Sequence, residues 1–556
     1  MNVLLFLIGT FVILGLYTHY VLKYRSNFSY AAENELFNSF PNQSLVPKSR
    51  IDWFVFLFFI LYVLAFAWNI FYQVDVRHSD SIGYISDAAC NPDKFIALQV
   101  KFSGRFMPFA HQEFNLLSPL LRLFNCSYTV LYSLTFIQFL ITIYIINKIL
   151  PFKQLYLRLL AIFFITINIA FFYPFSNIIV NDRNTIFLTI LFLYFIIKFY
   201  KTEVNKNLVY ALIVANIAVY FKEPMFLFFT GFALASLLFK VIENKISLQN
   251  IIKKPIVFTK KYPLEIGLLM ISSLFAIGYI YFIFFDAQTK FFYGQEYYDQ
   301  ENYFSVLQYL KYSFERYSLF AITLAIIFFY IKDFKNIKYR KFIASLFMGG
   351  LFYSLVMIFY LRPGFFAYYS IANLVIVVAA CYYLSGKKLS TVFTIFLILL
   401  LTCSLKLTFP NIFERIAIEK KFQISIYSLR ENIKLKENKN YNIYYYAEFK
   451  KYSAYSVTAM KDLIHVITAR KSPIKFYSKY DCYPHHKGKD GDDFRCLKAN
   501  NFILSDYDLV IFDRKFISKD EWMNLSDQYG NRMKQITKYP EIFGNQEEAN
   551  LYVIYN

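Results

Sequence analysis

NDRNTIFLTILFLYFIIKFYKTEVNKNLVYALIVANIAVYFKEPMFLFFTGFALASLLFK, residues 181–240, decides the class of this chain. Three apolar runs, 185–200, 207–221 and 225–241, are separated by a gap holding Lys198, Lys201 and Lys206 and by the turn Lys222-Glu223-Pro224. Runs approaching ~20 residues match a bilayer core of ~30 Å. Working outward, the same pattern recurs at 3–22, 52–73, 128–147, 155–174, 264–285, 317–331, 342–360, 366–384 and 390–408. The expected fold is mainly α, a polytopic transmembrane helical protein of about twelve spans, followed by a small C-terminal α/β domain. The expected organisation is an anchor helix and linker at 1–50, a membrane domain at 51–408 with an outer loop at 74–127, and a soluble domain at 409–556.

Composition agrees. Of 556 residues, 57% are apolar and 17% charged, against roughly 45–50% apolar in soluble domains. Mean hydropathy is +0.38. Disorder, collagen and disulfide miniproteins are excluded. A net charge of +21 would suggest nucleic acid in a soluble chain, but here the basic residues gather between spans. MNVLLFLIGTFVILGLYTHYVLKYR at 1–25 has its charges after the apolar run, so it is expected to be an uncleaved anchor and not a signal peptide.

Alternate gaps differ in charge. One set holds Lys23, Arg25, Lys48, Arg50, Lys148, Lys153, Lys198, Lys201, Lys206, the lysines between 240 and 261, those between 332 and 341 with Arg340, and Lys387 and Lys388. The other holds the 74–127 loop, an acidic loop at 286–316, and short turns at 182–183, 222–224 and 362–364. The basic set is expected in the cytoplasm. The expected localisation is a cell membrane, multi-pass, with loop 74–127 and the tail outside. In an oxidising compartment Cys90, Cys126, Cys482 and Cys496 are disulfide candidates. The segment between the last two contains His485 and His486, which fit either a solvated loop or a zinc site.

The tail reads as strands at 441–449, 472–479, 507–514 and 550–556, with an amphipathic stretch at 453–470. It contains Asp506-Tyr-Asp508, which matches an Asp-x-Asp metal-nucleotide pair and also an ordinary solvated turn. Loop 74–127 is denser in ionisable groups. A carboxylate near a membrane surface is partly desolvated, which makes it a better base for an alcohol proton. Asp75, Asp80 and Asp87 are the candidates, and Asp80 is favoured because Tyr84 lies four residues on, one helical face away.

An outer loop directly after a span, with Asp80, then Tyr84, Gly104-Arg105 and a downstream Pro-Leu, resembles the GT-C superfamily of membrane glycosyltransferases, which includes protein mannosyltransferases and aminoarabinose transferases. SNIIVNDRNTIFLTILFLYF at 176–195 is similar to that superfamily's acidic residue opening a span, with Asp182 in that place and Arg183 beside it. ANIAVYFKEPMFLFFTGFALAS at 215–236 resembles its charged turn, giving Lys222 and Glu223, and YLRPGFFAYYSIANLVIV at 360–377 its late Arg and Tyr, giving Arg362 and Tyr368. The resemblance implies an inverting enzyme that uses a polyprenyl-phosphate sugar as donor. Asp80 is then the base, and the other named residues bind substrate.

Physical reasoning on the residues points the same way. A departing lipid phosphate gains charge that fixed cations stabilise, and Arg105, Arg183, Lys222 and Arg362 all fall at span ends on the expected outer face. Snorkelling to lipid headgroups explains each of them equally well taken singly. The expected partners are the lipid-linked sugar, a glycan, lipid or protein acceptor, and membrane lipids, with no nucleic acid. No cofactor is required by this scheme, and a divalent metal is left open. The rival readings are a polymerase joining lipid-linked repeats and a transporter or flippase.

Overall fold

The computed structural model describes residues 3–23, 30–38, 45–71, 96, 98, 106–124, 128–176, 180–246, 253–285, 339–356, 370–385, 441–446, 474–478, 494–498, 502–513, 517–536 and 551–555. Asp75, Asp80, Tyr84, Asp87, Arg105, Arg362, Tyr368, Cys90, Cys126, Cys482, His485 and His486 lie outside them. So do the expected spans at 317–331 and 390–408 and the stretch 453–470. The chain forms two compact units. One contains Met1–Ile70, Ala97–Glu113 and Tyr132–Asn411; the other contains Phe71–Ile96, Phe114–Leu131 and Ile412–Asn556.

The helical unit and its continuation run as α1 (Val3–Lys23), α2 (Ala31–Asn38), α3 (Arg50–Phe71), α4 (Gln112–Leu123), α5 (Tyr128–Ile149), α6 (Leu155–Ile167), α7 (Ile169–Ser176), α8 (Asp182–Thr202), α9 (Asn205–Phe221), α10 (Met225–Glu243), α11 (Pro255–Lys261), α12 (Pro263–Tyr279), α13 (Arg340–Val356) and α14 (Ser370–Ser385). A π-helical turn, Ile280–Phe285, extends α12. Among the described residues six helices are long and apolar enough to cross a membrane: α1, Arg50–Trp68 of α3, Thr129–Ile149 of α5, α8, α10, and α12 with its extension to Ile283. The structure therefore supports a membrane protein with at least these candidate spans among the described residues.

One expected span is broken. The apolar run 155–174 predicts one continuous span, yet α6 and α7 meet at 71°. Asn168 leaves the helical conformation (φ −58°, ψ 132°), and its Oδ1 accepts from the Ala170 backbone N–H at 2.8 Å. It thus ends one helix and caps the next, as side-chain oxygens do for unsatisfied N–H groups.

The helices leave large apolar side chains uncovered, including Leu5, Leu16, Phe54, Leu61, Leu64 and Trp68 on α1 and α3. In water such a band would be costly, but against lipid it needs no cover. Where helices meet, glycine sets the distance. A Cβ on Gly231 of α10 would lie 2.5 Å from the backbone oxygen of Met348 in α13, and one on Gly349 would lie 2.9 Å from the backbone oxygen of Phe228. Small residues at such crossings let backbones approach closely. A backbone carbonyl cannot turn aside, so Gly231→Ala is expected to force the pair apart at a cost of about 1–3 kcal/mol. Thermal unfolding of the purified protein would register this as a lowered midpoint.

Contacts define two ends. Asn34 of α2 donates to the Lys201 carbonyl at the end of α8 (3.2 Å), and Tyr17 of α1 donates to the Pro263 carbonyl at the start of α12 (2.7 Å). Tyr382 of α14 donates to the Ile149 carbonyl (2.6 Å). Here Lys240, 2% exposed, meets Glu265 at 2.7 Å and Glu33 at 3.4 Å. Tyr30 and Ser236 also donate to Glu265, at 2.7 and 2.6 Å. Arg340 and Lys341 of α13 both pair with Glu243. This is the lysine-rich end of the helices. The start of α8 and the turn between α9 and α10 lie at the other.

The second unit is built on β1 (Tyr441–Tyr446), β2 (Ile474–Ser478), β3 (Phe494–Lys498), β4 (Leu509–Asp513), α15 (Lys519–Tyr529), β5 (Lys534–Gln535) and β6 (Leu551–Tyr555). Strand order is β3-β2-β1-β4-β6-β5. β1 to β4 pair in parallel and β6 antiparallel to β4 and β5. Tyr444, Tyr446, Tyr507, Val510, Phe512 and Leu525 form its core. The Asp506-Tyr-Asp508 motif is partly structural: Asp508 Oδ2 accepts from the Asn442 backbone N–H (2.8 Å), and its own N–H donates to the Asn442 carbonyl (2.8 Å). That reciprocal clamp joins the starts of β1 and β4. Cys496 lies in β3, opposite Phe476.

Candidate functional site

Three pieces of chain meet at the end remote from Lys240: the loop 106–113, the start of α8, and the turn 222–224. The turn is dictated locally. Lys222 is extended (φ −157°, ψ 126°) and ends α9, and Pro224 at the head of α10 supplies a fixed φ. Lys222 is thereby directed against Asp182 in the first turn of α8, with its Nζ on Asp182 Oδ1. Both groups are buried, 2% and 5% exposed. Two ions removed from water in this way are tolerated only as a pair.

Glu223 faces the loop. Its Oε1 accepts from the Phe106 backbone N–H at 3.2 Å, and the Phe109 N–H donates to the Tyr220 carbonyl at 3.0 Å. The Phe106 ring is fully buried, stacked on Phe282 at 5.2 Å between centroids and edge-on to Phe6 and Tyr220. The loop is thus anchored by an aromatic plug as well as by hydrogen bonds.

Further along, His111 adopts a left-handed backbone (φ 63°). Its N–H donates to Asn181 Oδ1 at 3.2 Å, and its Nε2 lies 3.3 Å from Asn181 Nδ2. Glu113, in the first turn of α4, then receives Arg183 Nη2 at 3.2 Å and Asn184 Nδ2 at 2.8 Å on one oxygen, Oε1. Arg183 also donates to Thr135 (3.2 Å), and Gln138 donates to Asn184 (3.1 Å), which joins α5 to the cluster. Burial pushes the Glu113 carboxyl above its ordinary value, and the Arg183 guanidinium opposes the rise.

Of the residues selected from the sequence, Asp182, Arg183, Lys222 and Glu223 come together here. Lys222 and Arg183 each face a carboxylate, so within this arrangement their charge towards a phosphate is largely offset. The sequence reading did not select His111, Glu113, Thr135, Gln138, Asn181 and Asn184. A signal existed in the four consecutive polar residues of NDRN at 181–184 and in the His-x-Glu of FAHQEF, both between apolar stretches. Among the described residues, no three of His, Cys, Asp and Glu gather as a metal-binding group. Neither protein-family models nor curated proteins give a match to the chain.

Proposed function

We propose that the chain is a membrane glycosyltransferase of the GT-C kind, moving a sugar from a polyprenyl-phosphate donor to a lipid-linked glycan, lipid or protein acceptor. The observation that supports this most is the gathering of the loop after the second apolar helix, the acidic start of α8 and the Lys222-Glu223 turn at one end of the helices. The opposite end is the basic one, which under the positive-inside rule faces the cytoplasm. The cluster then lies towards the outer surface, the side on which a lipid-borne donor would present its phosphate.

In the proposed reaction Asp80 takes the proton from an acceptor hydroxyl as that oxygen forms a bond to the anomeric carbon. The bond from that carbon to the phosphate oxygen breaks, and the electron pair leaves with the polyprenyl phosphate. One displacement inverts the centre. Arg105 and Arg362 meet the charge on the departing phosphate, and Tyr84 and Tyr368 contact the sugar. Asp182, Arg183, Lys222 and Glu223, paired within the cluster, hold loop 106–113 and the start of α8 in place and so position the residues that meet substrate.

Purified protein incubated with radiolabelled polyprenyl-phosphate sugars and a lipid-glycan extract is expected to release label from the carrier. Asp80→Asn is expected to reduce release by at least ~100-fold, the scale of a lost general base, with the folded fraction unchanged. Equal release by both proteins would remove Asp80 from the mechanism. No release with any donor would favour the polymerase, and then the transporter.

A further inference from the structure

We propose that His111 and Asn181 form a positioning clamp that closes only on a neutral imidazole, tying loop 106–113 to the start of α8 in a proton-dependent way. The argument rests on donors and acceptors. The His111 backbone N–H can only donate, so the Asn181 atom 3.2 Å from it is the amide oxygen. That fixes the amide orientation and turns Nδ2, a donor, towards His111 Nε2 at 3.3 Å. Nε2 must therefore accept, which puts the ring proton on Nδ1 and leaves the ring neutral.

A second proton on the ring would set N–H against N–H. Flipping the amide would only move the conflict to the backbone N–H. The chain has little freedom to escape, because His111 already occupies a backbone region that few non-glycine residues visit. The loop is also fixed by Phe109 and Phe106 on one side and Glu113 on the other.

Among the described residues, the charged groups of the surrounding cluster are Asp182 and Arg183 on α8, Lys222 and Glu223 in the turn before α10, and Glu113 in α4. Arg183 and Lys222 are each paired with a carboxylate, and the geometry of the clamp itself holds Nε2 as an acceptor. The clamp contributes above the pKa of the ring and is lost as pH falls through it, within the range of about pH 5–8 where histidines change charge. The positioning role in catalysis rests on the proposed glycosyl transfer, whereas the clamp itself does not.

Asn181→Asp tests it, because one carboxylate oxygen keeps the backbone N–H and the other accepts from a protonated Nε2. With the full chain in detergent and ring-labelled histidine, the His111 signal is assigned by its loss in His111→Gln. Its titration midpoint is expected to rise in Asn181→Asp by about one pH unit, a tenfold gain in proton affinity. Asn181→Ala, which removes the opposing donor together with the acceptor of the His111 backbone N–H, should raise it by less. In the wild type, hydrogen exchange across 106–113, corrected for its intrinsic pH dependence, should accelerate as His111 takes its proton, and in Asn181→Asp it should not. The acid limb of kcat/KM should move with the midpoint.

An unchanged midpoint in both Asn181 variants, or exchange that ignores the titration of His111, would overturn the clamp. Absence of transfer by the wild type would instead count against the glycosyltransferase reading, and the resonance titration would still decide the clamp.

Discussion

Lys222→Met is expected to destabilise the helical unit by about 3–5 kcal/mol, the cost of leaving one member of a buried ion pair uncompensated. Asp182 is 5% exposed and sits at the start of α8, so water cannot replace the ammonium without opening the loop above it. The double variant Lys222→Met/Asp182→Leu is expected to recover most of the loss, because replacing both charges by apolar groups is often neutral or better. Denaturant unfolding of the three proteins in the same detergent measures this. A single variant as stable as the wild type would show that Asp182 is solvated or protonated and not held by Lys222.

Lys240→Met should have a similar cost, about 3–5 kcal/mol, for a different reason. Lys240 serves two carboxylates, Glu265 and Glu33, and Glu265 is completely buried. Tyr30 and Ser236 would still donate to Glu265, which moderates the loss without removing the charge. Glu33 belongs to α2, so the variant should also expose α2 to proteolysis, with cleavage near 30–38 as the readout. The proposed transfer activity, per folded molecule, should stay at the wild-type level, because Lys240 lies at the end of the helices away from the loop. Reduced activity in fully folded protein would place Lys240 in the mechanism.

The apolar runs were legible because length and hydrophobicity are local properties. The run at 225–241 became Met225–Glu243 and that at 185–200 became Asp182–Thr202, with the acidic and basic residues drawn into its first turn. The break at Asn168 was marked only by one amide in an apolar run, and whether such an amide caps a new helix depends on what packs around it. Tail strands rich in tyrosine and β-branched residues were placed within three residues. β3 (FRCLK) and the two-residue β5 were not anticipated, since short polar segments become strands only when a neighbour supplies the pairing. The site shows the same limit. Asp182 and Lys222 were visible as separate charges, but their pairing depends on how α8 and α9 align, which neither run encodes alone.

The glycine contact at Gly231 gives α10 a mechanical character. That helix begins beside the Lys222 turn and ends beside the Lys240 network, and its backbone rests on Met348 of α13 six residues from its start and twelve from its end. At 1.5 Å per residue the two arms are about 9 and 18 Å long. A rocking of α10 about this contact would turn a shift of about 1 Å at its start into about 1.5 Å in the opposite sense at Lys240, which meets Glu265. The buried lysine network ties the long arm of that lever to α12 and α2 through Lys240.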